Sequence, residues 1–241
     1  MPLWTYSFEK WKRVPLWNSQ FGQDAYIICN GPSFAKVDTS SLCGYGRVVI
    51  GVNNTYPTLR PDFWIGMDTP DCYPSQLLRE SFPKIYRGSY GDIETCGGWL
   101  KEQPASYFMD ISEKYPFLPI KEDMIFSWRK NTLAAAIQFA LWLGCPRLHL
   151  VGVDLDNSKQ DYADDTTLSV AHRHYNHRLH GELAKWLKAV VEHPSCPCWI
   201  GSCSENSRIN SFMPYLPLVD ALKNSESGIV TGRAKGHVLQ K

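Results

Sequence analysis

The sequence predicts an α/β fold: a doubly wound, mostly parallel sheet with helices on both faces. Three observations carry this prediction. Short apolar runs alternate with helical segments along the chain. One segment, "NTLAAAIQFALWLG" (131–144), is apolar nearly all round, as a helix buried against a sheet must be. Several apolar runs end in Asn, Gly, Ser or Asp, the residue types found just past the carboxyl ends of strands where ligands bind in open α/β sheets.

The elements follow in order. "AYIICN" (25–30) reads as a short buried strand that stops at a turn, and "RVVIGVNN" (47–54) as a second that also ends in polar residues. "PDFWIGMD" (61–68) is a third, ending at Asp68, and "KIYRGS" (84–89) and "ASYFMD" (105–110) are weaker strands. The helix 131–144 has Asn131 or Thr132 to cap its start and Gly144 to take the left-handed position at its end. "RLHLVGVDLD" (147–156) follows as a central parallel strand. A helix over about 175–192, a late strand "CWIGS" (198–202) and a short terminal helix beginning in "MPYLPLVDAL" (213–222) complete the set.

Composition narrows the function classes. The chain has 241 residues, 44% of them hydrophobic and 20% charged, with a formal net charge of +1. This length predicts one domain over 1–241, with its core at about 25–222 and a weakly ordered tail at about 223–241. The near-neutral balance gives no bulk electrostatic pull toward nucleic acid or a membrane surface. No run approaches the roughly 20 apolar residues of a membrane span, and the first residues lack the apolar centre of a secretory leader. The expectation is a soluble, cytoplasmic, reduced protein. Its eight cysteines then read as free thiols. "CPCWIGSC" (196–203) has some zinc-ligand flavour but lacks a second paired knuckle, so buried thiols are the simpler reading.

The turn Asn30-Gly31-Pro32-Ser33 suits a phosphate or a nucleotide. Gly31 lets backbone come close to a ligand and Pro32 fixes the turn. Ser33 can donate from its hydroxyl and cap a short following helix, whose free N–H groups attract anions. The turn is neither a G-x-G-x-x-G fingerprint nor a Walker loop. Asn53-Asn54, Asp68 and Asp154-Asp156 stand at the ends of three further strands, so four strands direct small polar or acidic groups at one sheet edge.

In one order, "YIICNGPSFAKVD", "VIGVNNTYPTLRPDFWIGMD", "NTLAAAIQFALWLGCPRLHLVGVDLD" and "CSENSRINSFMPYLPL" resemble two related families over roughly residues 25–220. One is the bacterial CMP-sialic-acid-dependent sialyltransferases; the other is the MptE-like 6-hydroxymethylpterin diphosphokinases. The resemblance implies a Rossmann-like nucleotide-binding fold. The strand "PDFWIGMD" is more similar to the diphosphokinases, and "NGPS", "GVNN" and the histidine-rich segment to the sialyltransferases. On the sialyltransferase side it implies that Asn30, Gly31, Ser33 and Asn53 contact the donor nucleotide. An Arg-x-x-Ser/Thr at the start of the buried helix would also serve the donor; here it reads Arg129-Lys130-Asn131-Thr132, with threonine in place of serine. Arg129 would neutralise phosphate, and Lys130 would be a solvated neighbour.

"AHRHYNHRLHGELAKWL" places four of the seven histidines within nine residues: His172, His174, His177 and His180. Three readings compete: a metal site, a general base, or a polar helix face. The sialyltransferase resemblance implies a histidine base shortly before such a helix, and counting back from "ELAKWL" favours His174, with His172 and His177 as neighbours. Asp154 and Asp156 resemble the G-x-D strand ending of both families. In the diphosphokinase reading Asp68 and Asp154 would hold Mg²⁺ beside ATP phosphates; the sugar-transfer reading needs no cofactor. Tyr162 and Tyr175 can donate to a leaving phosphate.

The resulting expectation is a transferase acting on a nucleotide-activated donor, a CMP-sugar first, and a small-molecule or glycan hydroxyl acceptor. The alternatives are Mg-dependent diphosphate transfer and a nucleotide-binding module without catalysis. The expected site comprises His174 and Arg129 as catalytic residues and Asn30, Gly31, Pro32, Ser33, Asn53, Asp68, Thr132 and Asp154 as nucleotide ligands, with no metal ligand. The sequence leaves self-association open.

Overall fold

The computed structural model describes residues 3–118, 120–155 and 170–227, with 170–175 at the level of the backbone. In chain order the strands are β1 (Leu3–Ser7), β2 (Lys10–Arg13), β3 (Asp24–Ile28), β4 (Arg47–Val52), β5 (Phe63–Ile65) and β6 (Lys84–Arg87). Then come β7 (Glu94–Thr95), β8 (Gly98–Trp99), β9 (Ser106–Met109), β10 (Ile111–Ser112), β11 (Phe126–Ser127), β12 (Arg147–Val151) and β13 (Trp199–Ser202). The α-helices are α1 (Thr132–Trp142), α2 (Val170–Glu192) and α3 (Leu218–Ser227).

The centre is a nine-stranded sheet of order β13-β12-β3-β4-β5-β6-β9-β1-β2. Every neighbouring pair from β13 to β9 is parallel. β1 runs antiparallel to both β9 and β2, closing that end with a hairpin. This is the mostly parallel, doubly wound α/β fold that the sequence predicts. From β3 the chain steps outward through β4, β5, β6 and β9, then returns to place β12 and β13 on the other side of β3. The junction of β3 and β12 is therefore the topological switch point, where adjacent strand ends splay and leave a crevice.

Alternate residues of the central strands face opposite layers, as the period of two demands. Ala25, Ile27, Val48 and Ile50 lie in one core with Ala135, Phe139 and Trp142 of α1 and with Leu183, Leu187 and Val190 of α2. Tyr26, Ile28 and Val49 lie in a second core with Phe34, Leu42, and Ala221 and Leu222 of α3. Helices thus cover both faces. Fully burying each aliphatic side chain contributes roughly 1.5–3 kcal/mol before entropy is counted, so the sheet is over-determined where β3, β4 and β12 meet.

Three features differ from expectation. The amino-terminal hairpin belongs to the sheet, and Leu3 is fully buried in the first core, so the core does not begin at about 25. The links after β3, β4 and β5 carry 3₁₀ turns instead of α-helices. Pro57, Pro61, Pro70, Pro74 and Pro83 punctuate the links on either side of β5, and each denies an interior helix its N–H and φ freedom. Finally, α3 continues through Ser227, past the expected start of the loose tail; residues 228–241 lie outside the described residues. Among the described residues no helix is long and apolar enough to cross a membrane.

Candidate active site

Two strand ends build the floor of the site. β3 ends at Ile28 and turns through Cys29, Asn30 and Gly31; β12 ends at Val151 and turns through Gly152, whose φ is 70°. Cys29 N–H donates to Val151 O at 2.8 Å and Gly31 N–H to Gly152 O at 2.9 Å, which carries strand pairing into the turns. Gly31 is required by this close approach: a Cβ there would stand 2.4 Å from Gly152 O and 2.5 Å from Asp154 Oδ2. The glycine makes room for the neighbouring turn and for a carboxylate, in addition to any ligand.

Ser33 completes the junction. Its N–H donates to Asp154 Oδ2 at 2.8 Å and its hydroxyl to Ser204 Oγ at 3.0 Å. Ser204 Oγ also accepts from the N–H groups of Gly152 (3.0 Å) and Val153 (3.3 Å). Ser207 donates to Val153 O, and Arg208 N–H to Asp154 O at 3.1 Å. The sequence reading gave Ser33 to a ligand and to helix capping. Instead both of its donors hold the turn, and the following 3₁₀ turn Pro32–Lys36 starts at Gly31 without a side-chain cap.

Above this floor lies a cavity of about 570 Å³, within the range of small-molecule sites. Asn30, Gly31, Pro32, Asn53, Asp68, Thr132 and Asp154 all line it, so seven of the eight expected nucleotide ligands gather in one place. Ser33 stands just behind them. Asn53 is held from three directions. Its backbone is left-handed (φ 51°), its carbonyl accepts from the Trp64 indole at 2.8 Å, and its Oδ1 accepts from the Tyr73 hydroxyl at 3.2 Å. Tyr73 Oη in turn accepts from Asp68 N–H at 3.1 Å. Burial raises the Tyr73 phenol far above its ordinary value, so it stays a donor to Asn53.

The amino end of α1 forms one wall. Asn131 is its cap, with Oδ1 accepting from Leu133 N–H at 2.9 Å, and Thr132 and Leu133 line the cavity beside it. The positive end of the helix dipole and its free N–H groups favour an anion there. Lys130 lines the cavity and Arg129 does not. Both residues are exposed, and the backbone between them is left-handed at Lys130 (φ 53°). The cation at this wall is therefore one residue later than expected, and its exposed pair with Glu113 at 3.8 Å holds it only weakly.

α2 forms the opposite wall through Asn176, Leu179, His180 and Leu183, the i, i+3, i+4, i+7 row of one helix face. His177 is exposed and outside the lining. Position 174 is six residues before His180, about 120° round the helix and out of that register. The side chains of His172, His174 and Tyr175 lie outside the described residues, as do Asp156 and Tyr162. Burial lowers the pKa of His180, assisted by His177 and Arg208, so the imidazole is neutral at physiological pH. Among the described residues no group of three or more His, Cys, Asp or Glu is placed to hold a metal ion.

Two buried nitrogens at the cavity have no hydrogen-bond partner among the described residues: Asn30 Nδ2 and His180 Nδ1. A buried donor or acceptor left unmade costs about 1–3 kcal/mol, and these two, unlike the others among the described residues, are on residues that line the cavity, where a ligand can complete the bonding. His180 is the residue that the sequence reading undervalued. It was visible only as one histidine in a cluster, and the helix register that separates it from the others needs the packed structure.

No protein-family model matches the chain, and no curated protein does. Solved structures do. The sialyltransferase CST-II in complex with trisaccharide acceptor and CMP aligns with a TM-score of 0.50 at 15% identity, over 82% of this chain and 88% of that one. CstII from Campylobacter jejuni with the substrate analogue cytidine-5'-monophosphate aligns at 0.49 and 14%, over 83% and 87%. The monofunctional alpha-2,3-sialyltransferase Cst-I from Campylobacter jejuni aligns at 0.40 and 15%, over 80% of each. At these identities the likeness is one of fold: the chain has a sialyltransferase-like α/β architecture.

Proposed function

We propose that the protein is a glycosyltransferase that binds a CMP-linked sugar in this cavity and passes the sugar to a hydroxyl acceptor. The observation that carries the reading is the pair of unpartnered buried nitrogens, Asn30 Nδ2 and His180 Nδ1, at one cavity on the switch point of a doubly wound sheet. The fold is shared with a sialyltransferase whose solved structure holds CMP and a trisaccharide acceptor, which supports the choice of donor and acceptor class.

In this reading Asn30, Asn53 and the turn Gly31-Pro32 hold the nucleoside. The amino end of α1 at Thr132, with Lys130, faces the donor phosphate and supports the negative charge that grows on it as the sugar leaves. Asp68 and Asp154 line the polar floor, and Asp154 also fixes the turn through Ser33. An acceptor hydroxyl becomes a competent nucleophile only as its proton is taken, so one neutral imidazole at the sugar end is needed. His180 is assigned that role in preference to His174, because it lines the cavity and its pKa is depressed. Transfer then breaks the sugar–phosphate bond, forms the sugar–acceptor bond, and leaves CMP with the proton on the histidine.

The test is a thermal-shift series with CMP, UMP, AMP and ATP, with and without Mg²⁺. A ligand at a hundred times its Kd stabilises by about 2.7 kcal/mol. Metal-independent stabilisation by CMP above the other nucleotides supports the reading, and Mg-dependent stabilisation by ATP alone replaces it with diphosphate transfer.

A further inference from the structure

Arg87 is the last residue of β6, at the carboxyl edge of the sheet, and is half-buried. Its guanidinium carbon lies 5.5 Å from the ring centroid of Trp128 and 5.8 Å from that of Tyr90, within reach of cation–π contact with both. Among the described residues no hydrogen bond or ion pair ties its side chain. Every other buried or half-buried Lys or Arg of the described residues is satisfied. Arg47 pairs with Glu226, Lys101 with Asp92 and Arg147 with Asp24, and Lys84 donates to the carbonyls of Glu80 and Pro104. Asp110, which follows β9 on the neighbouring strand, is not paired with Arg87; its Oδ2 accepts from the Trp4 indole at 2.5 Å. None of the three Arg87 side-chain nitrogens is sealed from solvent, so the N–H groups are open to a ligand while the rings seat the guanidinium.

Trp128 ties this cation to the cavity, which it lines. Its backbone is pinned: Trp128 N–H donates to Ser112 O at 2.9 Å, and the preceding Ser127 exchanges two bonds with the buried Gln138 of α1, at 2.7 Å and 2.8 Å. β6 stands three strands from β3 in the sheet order, about 14 Å at ordinary strand spacing. The Arg87–Trp128 pair is therefore on the flank away from the turn Asn30-Gly31-Pro32, with Asn53 and Asp68, which follow β4 and β5, between them. With a nucleoside on that turn, this flank is left for the second substrate.

We propose that Arg87, seated on Trp128, forms a subsite for an anionic group on the acceptor, a carboxylate or a phosphate monoester, and so selects charged glycans; its assignment to the acceptor rests on the glycosyltransferase reading above. The planar fork of N–H donors matches two oxygens of either group. A pair made half out of water is screened less than one on the open surface. The rings hold the guanidinium before the ligand arrives, so less side-chain freedom is lost on binding.

The experiment titrates the whole protein with three probes that share one ring: methyl glucuronide, glucose 6-phosphate and the neutral methyl glucoside, each with and without CMP. At least one charged probe should bind about tenfold tighter than the glucoside, and the better of the two names the anion. The preference should shrink as salt is raised. Arg87→Gln should erase it, and Arg87→Lys, which keeps the charge without the fork, should restore it only in part. Both variants should keep the CMP affinity and the thermal midpoint of wild type, which separates a lost contact from a damaged fold. Binding of neither charged probe, equal binding of all three, or a preference that Arg87→Gln leaves intact would each overturn the proposal. CMP titration of the same samples reports on the glycosyltransferase reading separately: a charge preference without CMP binding removes that reading, and CMP binding without a charge preference removes the subsite.

Discussion

The backbone N–H of Ser33 donates to Asp154 Oδ2 at 2.8 Å, joining the ends of β3 and β12 across 121 residues of sequence. Asp154 is 8% exposed, so the bond is made in a largely buried place at the edge of the cavity. It holds the turn that carries Asn30, Gly31 and Pro32 against the turn that carries Gly152. Everything proposed for the site depends on that junction.

Breaking the junction should destabilise the fold as well as the site. Asp154→Ala leaves the Ser33 N–H without its acceptor and should cost about 1–3 kcal/mol. Gly31→Ala forces a Cβ into the 2.4 Å and 2.5 Å spaces now occupied by Gly152 O and the Asp154 carboxylate. Its effect should be at least as large, because one of those atoms is backbone. Urea unfolding with an unchanged m-value is the measurement, and a midpoint equal to wild type for both variants would remove the junction from the account.

Asn30→Ala should behave in the opposite way. Nδ2 of Asn30 already lacks a partner among the described residues, so its removal should change stability by less than about 1 kcal/mol. Binding of CMP should weaken by roughly tenfold or more, the loss of one or two hydrogen bonds to a ligand. Calorimetric titration against the matched unfolding curve separates the two effects.

His180→Ala should lower turnover by about 10²–10⁴-fold while leaving CMP affinity within a few-fold. Because burial, with His177 and Arg208, depresses its pKa from 6.5, the acidic limb of the kcat profile should fall below pH 6.5. The sign on stability follows. Below about pH 6.5 the unfolded chain gains a proton that folded His180 refuses, so stability is full above that pH and declines as pH drops. His174→Ala made in parallel should retain far more activity; the reverse ranking returns the base to His174.

A buried network at the opposite end of the sheet gives a prediction independent of function. Asp24 accepts from Arg147 Nε at 2.6 Å and from Ser225 Oγ at 2.5 Å, so the terminal helix α3 is tied to β3 and β12. Burial opposes ionisation of Asp24, but the His149 ring nitrogen 3.6 Å away and hydrogen bonds from Arg147 and Ser225 outweigh it and lower its pKa from 3.8. That contribution to stability is present above about pH 3.8 and is lost as pH falls through the lower folded value. Asp24→Asn removes the ionised acceptor shared by Arg147 and Ser225 and should cost about 1–3 kcal/mol, read by thermal unfolding at pH 7.

The parts of this structure that could be read from the chain are those governed by local pattern. β3, β4 and α1 fall within two residues of the predicted segments, and β12 begins where predicted but ends five residues earlier, because continuous apolar runs, the Asn131 cap and Gly144 (φ 88°) are local signals. The gathering of Asn30, Asn53, Asp68 and Asp154 followed from strand polarity, whereas Thr132, at the start of α1, was expected only from the family resemblance. Other features needed tertiary contact. Nothing local in "LWTYS" and "KWKR" shows that they pair with each other and with β9. The exchange of Arg129 for Lys130 goes with one left-handed residue, and the inward use of Ser33 rests on Ser204, 171 residues away. In α2 the histidine spacing was visible, but the face turned to the cavity is set by Leu183 and Leu187 packing into the core.

The measurement closest to the central claim is titration of the wild-type protein with CMP in the presence of a chelator, repeated with Asn30→Ala. The account predicts saturable, metal-independent binding of CMP that is tighter than binding of UMP or AMP and is weakened at least about tenfold by the substitution. No binding of CMP at millimolar concentration, or binding that Asn30→Ala leaves unchanged, would contradict it.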